Sequence, residues 1–383
     1  PVIFVVENNQ WGLSTPSVEQ FRCKQFIDKG IGYGMEAHQV DGNNILEVYN
    51  KVSALKKSLG EKPRPILLEC FTFRMRGHEE ASGTKYYPEG LQEQWKEKDP
   101  LTIFEQYLIS LGLHTEASID ALKTDLLARI SAEFEAALAL PAIEYDAQIE
   151  TKDLFAAHES EAKPHAGSSK EMRLIDAIAD GLDQAMEHHP DLVLMGQDIA
   201  DYGGVFKATE GLMVKYGKDR VRNTPLCESA IVGAALGLSI KGKKSMVEMQ
   251  FSDFVTCGFN QIVNNLAKIH WRWQQNADVV IRMPTGAGVA AGPFHSQSTE
   301  AWFFHTPGLK IVYPAFPADA KGLLLAAFED PNPVLFFEHK FLYRSLEGEV
   351  PEGYYTTEIG KAAVLNEGAD LTIVTYGLGA HWA

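Results

Sequence analysis

Four stretches of this sequence carry side chains whose types and spacing can do chemistry. Glu7-Asn8-Asn9-Gln10-Trp11-Gly12-Leu13-Ser14 follows an apolar run and offers amide and turn carbonyl oxygens. Hard cations such as magnesium take such oxygens beside carboxylate and phosphate ligands. Alone, an Asn-Asn pair after a strand reads first as a turn. Arg74-Met75-Arg76-Gly77-His78-Glu79-Glu80-Ala81-Ser82-Gly83 places two arginines and a histidine where anions can be held and protons moved. On local sequence alone it is a solvated charged loop. Glu228, after Asn223-Thr224-Pro225-Leu226-Cys227, heads a small-residue segment running to Ile240. It is either a helix-start residue favoured by the dipole or, if buried in an apolar cleft, a carboxyl of raised pKa that shares a proton with a heterocycle nitrogen. Lastly, the glycine-rich run Gly286 to Gly292 delivers His295. It lacks the spacing and lysine of a P-loop and is not GxGxxG. A structural histidine is the default for any one of the 12.

The elements that must position these residues follow from periodicity. Residues 1–6 and Pro65 to Phe73 read as strands, and Asn44 to Leu59 has the apolar spacing of a helix. A helical stretch runs from about Leu101 to Leu138. From Glu144 to Ser169 the periodicity fades into His, Pro, Gly, Ser and charged residues, the composition of a linker. Beyond it, a helix with Leu174, Ile178, Leu182 and Met186 on one face precedes strands at 191–195, 245–251, 279–282, 309–313 and 333–338, with helices at 260–271 and 318–328 between them. Strand, crossover helix, strand implies a mainly parallel sheet with helices on both faces. Sites on such sheets lie at the carboxyl ends of the strands, where all four stretches fall.

Bulk composition narrows the function classes. An apolar share of 45% over 383 residues builds two or three compact units. The formal charge of -16 repels phosphate backbones and anionic membrane surfaces, so nucleic acid and membranes are not expected partners. Cys23, Cys70, Cys227 and Cys257 lie far apart with no CxxC pair, which favours buried free thiols in a reducing compartment. No apolar run reaches the ~18 residues of a membrane span. The opening Pro1-Val2-Ile3-Phe4 run has no signal-peptide layout, and Asp370 to Gly377 reads as a strand with nothing after it to cover its faces. Both ends are therefore expected to lack neighbours.

Taken together, the motifs resemble the thiamine-diphosphate-dependent 2-oxo acid dehydrogenases, with alpha and beta subunits joined head to tail. The alpha-like part is carried by residues 7–14, Val40-Asp41-Gly42, Arg76-Gly77-His78 and Asp99-Pro100-Leu101. The beta-like part is carried by Asn223 to Glu228, Glu248 to Phe254, His295-Ser296-Gln297-Ser298, His305 to Lys310 and Ala320-Lys321-Gly322-Leu323. The resemblance implies an α/β fold of two thiamine-diphosphate-binding modules with doubly wound, mainly parallel sheets, and the start of a transketolase-like C-terminal domain. The expected divisions are 1–145, alpha-like and N-terminally incomplete; 146–170, linker; 171–345, beta-like pyrimidine-binding; and 346–383, the truncated last domain.

By the same resemblance, Asn9 is a side-chain magnesium ligand, Trp11 adds a backbone carbonyl, and Leu13 is the apolar wedge that bends the cofactor. Phe254 stacks on the pyrimidine with Leu226 and Gln250 nearby, and Glu228 hydrogen-bonds a pyrimidine ring nitrogen. His78 serves phosphate and substrate-side contacts, and His295 the substrate carboxylate and the incoming lipoyl group. The implied reaction is oxidative decarboxylation with thiamine diphosphate and magnesium, followed by reductive acylation of a lipoyl domain on the core of a dihydrolipoyl acyltransferase. Phe336-Phe337-Glu338 and Leu342-Tyr343-Arg344 favour branched-chain substrates. Pyruvate and acetoin dehydrogenases, a transketolase-like transferase and a non-catalytic scaffold are the alternatives. Enzymes of this family set the cofactor between an alpha-type and a beta-type module, so a homodimer of the fused chain is expected, cytoplasmic in a bacterium or in the mitochondrial matrix of a eukaryote. The family's Gly-Asp-Gly motif falls about thirty residues before the Asn-Asn pair, outside this sequence.

Overall fold

A computed structural model describes residues 2–79, 81–165 and 167–383; Pro1, Glu80 and Ala166 lie outside the described residues. The chain divides into two compact units, Pro1–Ile143 and Glu144–Ala383. In the first, strands β1 (Val2–Asn8), β2 (Glu36–Asp41) and β3 (Pro65–Phe71) form a parallel sheet in the order β1-β3-β2. β2 is a strand that periodicity missed, because Glu36-Ala37-His38-Gln39 is too polar to stand out. Helix α1 (Ile45–Glu61) is capped by Asn44, whose side chain accepts from Glu47 N. It buries Leu55 and Leu59 against Val40, Ile66, Leu68 and Cys70. The alternate residues point the other way: Gly30, in a short helix at Asp28–Tyr33, comes so close to Ala37 that a Cβ would stand 2.8 Å from its methyl. The 101–138 stretch is two helices, α2 (Pro100–Ser110) and α3 (Glu116–Leu138). Asp99 and Thr115 cap their starts, and Gly112 at φ 69° makes the break between them.

The second unit is built on a six-stranded parallel sheet. A strand outside this sheet, β4 (Ser169–Arg173), and helix α4 (Leu174–His188) precede β5 (Val193–Gly196), β6 (Val221–Asn223), α5 (Glu228–Ile240), β7 (Ser245–Glu248) and α6 (Ala267–Trp273). β8 (Val279–Thr285), β9 (Lys310–Val312), α7 (Pro317–Glu329), β10 (Val334–His339) and β11 (Glu347–Pro351) follow. The sheet order is β9-β10-β8-β7-β5-β6, all parallel. Alternation decides which residue meets which layer. Leu194, Met246, Val280 and Phe336 pack on α4 and α7. Met195, Val247, Ile281, Met283 and Phe337 pack on α5 and the 259–271 region. Both faces are covered, as a run of parallel strands requires.

Between these apolar layers sits one ionic group. Arg282 donates Nε and Nη2 to the two Glu338 oxygens at 2.6 Å and Nη1 to Glu248 Oε2 at 2.5 Å, and Tyr343 donates to Glu338 at 2.6 Å. The four side chains tie β7, β8 and β10 just below their carboxyl ends. Such a group contributes little net stability against an apolar packing but fixes strand register, since an unmatched member would be costly.

Three expectations are corrected. The stretch expected to be a linker is no free tether in its second half: Ala156 exchanges hydrogen bonds with the buried Asn332 side chain, and Lys163 pairs with Thr356 and Glu329. Polar composition hid these contacts because they run through backbone and amide groups. Residues 371–376, expected as a strand, join no sheet among the described residues. Nor does the fold break at 345/346, because β11 pairs antiparallel with β4.

Candidate active site

In the first unit the Asn-Asn turn gives the two amides different work. Asn8 is tied down: its Nδ2 donates to buried Glu69 Oε1 at 2.7 Å and its Oδ1 accepts from Gln10 N at 2.9 Å. Among the described residues Asn9 Oδ1 accepts only from Trp11 N, at 2.9 Å. The chain turns tightly here, with Gln10 at φ 66° and Leu13 at φ 59°. For a non-glycine residue this left-handed backbone is strained, a mark of functional loops. Leu13 stands 48% exposed on that strained backbone. Arg74 reaches the turn from the loop after β3, donating Nη2 to Leu13 O at 3.3 Å, while Nη1 lies 3.5 Å from His78 Nδ1. Gly77 is required beside His78, since a Cβ would stand 2.6 Å from Gly83 O. Trp11 rests on Tyr86 and Tyr87 at 6.0 and 5.1 Å between centroids. Asn9, Trp11, Leu13, Arg74 and His78 therefore share one corner of the unit, at the carboxyl ends of β1 and β3.

In the second unit Leu226, Glu228, Gln250, Phe254 and His295 all leave the carboxyl edge of the sheet. Glu228 is the first residue of α5 and half-buried. Gln197, after β5, donates Nε2 to Glu228 Oε1 at 3.1 Å. The other oxygen, Oε2, accepts no hydrogen bond among the described residues. Gln250 Nε2 donates to Asp198 Oδ2 at 3.2 Å. Phe254 lies in a 3-10 turn at Ser252–Gly258 that packs on α5: a Cβ at Gly258 would stand 3.4 Å from Glu228 O. Phe251, Phe254 and His295 form a ring triad, with the His295 ring edge-on to both, at 4.8 and 5.4 Å. Leu226, two residues before Glu228, is 81% exposed.

The arrangement fits an aminopyrimidine. Such a ring needs an acceptor for a ring N–H, an amide for its edge and an apolar face, and Glu228 Oε2, Gln250 and the Phe254 triad are groups of those kinds that could hold it. The first unit fits a cation held by neutral oxygens: Asn9 Oδ1 keeps a lone pair, and no group of three or more His, Cys, Asp or Glu among the described residues could serve instead. Motif reading missed Gln197 and Asp198, although the strand-end rule applied to Gly196 points to them.

Comparison with known proteins agrees with these two units. Residues 1–145 match the family described as "Dehydrogenase E1 component". Residues 170–345 match "Transketolase, pyrimidine binding domain". Both are families of thiamine diphosphate proteins. Among curated relatives, the 2-oxoisovalerate dehydrogenase subunit beta of Bacillus subtilis is 49% identical over 214 residues, covering 55% of this chain and 65% of the relative. The mitochondrial 2-oxoisovalerate dehydrogenase subunit beta of Dictyostelium discoideum is 47% identical over 216 residues, 56% of this chain and 58% of the relative. The pyruvate dehydrogenase E1 component subunit beta of Acholeplasma laidlawii is 46% identical over 206 residues, 53% of this chain and 63% of the relative. The chain spans less than two thirds of the length of each. In one polypeptide, therefore, the chain joins a region that matches the dehydrogenase E1 component family to a region that matches the transketolase pyrimidine-binding family.

Proposed function

We propose that the protein carries out the oxidative decarboxylation of a 2-oxo acid with thiamine diphosphate and magnesium, and passes the acyl group to a lipoyl group on a dihydrolipoyl acyltransferase. The observation that carries this reading is Glu228: one oxygen is fixed by Gln197, the other accepts no hydrogen bond among the described residues, and the turn that carries Phe254 packs against the same helix start. When bound, thiamine diphosphate supplies a nucleophilic carbon that accepts the electrons released as carbon dioxide leaves.

The chain's own residues do the rest. Glu228 Oε2 holds a proton at the pyrimidine ring nitrogen, Gln250 meets the ring edge, and Leu226 and Phe254 exclude water from its faces. Asn9 Oδ1 and the Trp11 carbonyl hold the magnesium. Leu13 presses on the cofactor from its strained backbone. Arg74 and His78 face the phosphate charge, and His295 orients the substrate carboxylate and serves the incoming lipoyl group. The working unit is a homodimer of the fused chain.

Branched-chain 2-oxo acids are the favoured substrates, supported by the 2-oxoisovalerate dehydrogenase names of the two relatives of highest reported identity. Pyruvate is the second reading, since a pyruvate dehydrogenase subunit is nearly as similar, 46% against 49%. A panel on the full-length protein decides, measuring carbon dioxide release and lipoyl reduction with 2-oxoisovalerate and with pyruvate. Higher kcat/KM for 2-oxoisovalerate supports the reading; preference for pyruvate moves the substrate, and ketol transfer between sugars in place of lipoyl reduction overturns the reaction class.

A further inference from the structure

Buried cations in the second unit come with partners. Arg282 has Glu338 and Glu248, and buried Lys321 has Asp180 at 2.6 Å and Pro351 O at 2.8 Å. Lys340 does not. It is 3% exposed, directly after β10, and its Nζ is buried with no hydrogen-bond partner among the described residues. Its backbone is fixed, with N donating to Thr285 O at 3.0 Å, and Nζ lies 5.4 Å from the centre of the Phe251 ring. Phe251 in turn meets His295 and Phe254, so the ammonium lies against one member of the triad and one ring away from the other two.

The groups around it do not neutralise it. Asp253 is buried, with Oδ1 taken by Gln297 N at 3.1 Å and Oδ2 unpartnered, and it makes no ion pair with Lys340 among the described residues. His339 is buried, with Nδ1 unpartnered and its proton affinity lowered by burial. Glu248 and Glu338 are spent on Arg282. A charge left unpaired out of water is costly, and a cation–π contact offsets only part of that cost.

We propose that Lys340 is a specificity-determining charge for the proposed reaction: standing behind the Phe251–His295 wall, it favours substrates that present a carboxylate to that wall. The inference rests on the function proposed above. It assigns no direct contact. The positive field acts across one aromatic ring, where low polarizability keeps it from being screened as it would be in water.

The same arrangement has a pH signature. Burial depresses the Lys340 pKa to about 8, against the opposing pull of Asp253. The field therefore fades above that pH, and KM for the 2-oxo acid should rise there.

The test uses the full-length protein and its variants Lys340→Met and Lys340→Arg. Lys340→Met should raise KM for 2-oxoisovalerate at least tenfold with kcat held within about twofold, remove the KM rise above pH 8, and raise the melting temperature. Lys340→Arg should restore KM. Half-saturation by thiamine diphosphate should not move in either. An unchanged KM in Lys340→Met overturns the inference, and so does a larger loss in cofactor half-saturation, which would assign the charge to the diphosphate. If the wild type turns over no 2-oxo acid, the reaction itself is wrong. Thermal shift with 2-oxoisovalerate as the probe then decides the anion preference alone: stabilisation of wild type but not Lys340→Met supports it, and equal response in both overturns it.

Discussion

Gln197 Nε2 donates to Glu228 Oε1 at 3.1 Å, so the carboxylate at the head of α5 is aimed from a neighbouring strand end and not left to its own rotamers. Replacing Glu228 with Gln keeps shape and the half-buried packing but removes the charge and turns the second acceptor oxygen into an NH2 donor. Turnover should fall by ~10²–10⁴, the usual contribution of a positioned proton-handling group. Circular dichroism and melting should stay as in wild type. Gln197→Leu should act in the same direction by roughly tenfold, since it loosens the carboxylate without deleting it. Undiminished turnover in Glu228→Gln would remove Glu228 from its proposed role.

Leu13 carries a trade-off. At φ 59° a leucine pays a backbone cost of about 1 kcal/mol that glycine does not. Half of its side chain is exposed, so little packing stabilises the strain in return. Leu13→Gly should therefore melt at the same temperature or slightly higher, yet bind thiamine diphosphate more weakly, as read by the cofactor concentration for half-maximal activity. A variant that loses stability and keeps cofactor affinity would show that the leucine is there for the fold.

How much of this was legible in the sequence differs by layer. Buried parallel strands such as Val279–Thr285 and Val334–His339 are continuous apolar runs and announce themselves. Glu36–Asp41 does not, because it lies at a sheet edge and its apolar content is set by one neighbour only. The strand-end rule located Asn9, His78, Glu228 and His295 without coordinates. It did not separate Asn8 from Asn9, whose difference is a partner 61 residues away in sequence, Glu69. Lys340 was invisible for the same reason: nothing local says that a lysine after a strand has been buried without a counter-charge. The expected strand at 371–376 misled because apolar residues specify a strand only when a neighbour is there to pair with it.

Stability should fall on the acid side through His189. This residue directly follows α4, away from the candidate site, its Nε2 is buried with no partner among the described residues, and burial, with Lys244 next in effect, lowers its pKa from 6.5 to about 4. The folded state thus prefers the neutral ring, while the unfolded chain takes a proton below about pH 6.5. Stability from this residue is intact above that pH and is lost progressively as pH falls towards 4. For a half-buried ring the loss is about 1–3 kcal/mol. Denaturant titrations at about pH 7 and about pH 5 should show a larger drop in wild type than in His189→Gln, which cannot titrate. Equal drops would place the acid sensitivity elsewhere.

The two asparagines of the first turn should part company when each is truncated. Asn8→Ala leaves the buried Glu69 without its 2.7 Å donor and frees Gln10 N, so it should destabilise the first unit by about 1–3 kcal/mol. Its effect on magnesium should be secondary, following the loss of folded protein. Asn9→Ala removes one acceptor, for Trp11 N, at a half-buried position where water can replace it. Melting should change by less than about 0.5 kcal/mol equivalent. The magnesium concentration for half-maximal activity, however, should rise by at least roughly tenfold, the order expected when an ion loses a ligand or its support. Asn9→Asp separates geometry from charge: it keeps the oxygen and adds a negative charge, so magnesium affinity should recover relative to Asn9→Ala. Calorimetric melting together with magnesium titration of the full-length protein reads all three variants. If Asn9→Ala melts early and keeps its magnesium response while Asn8→Ala does the reverse, the ligand has been assigned to the wrong member of the pair.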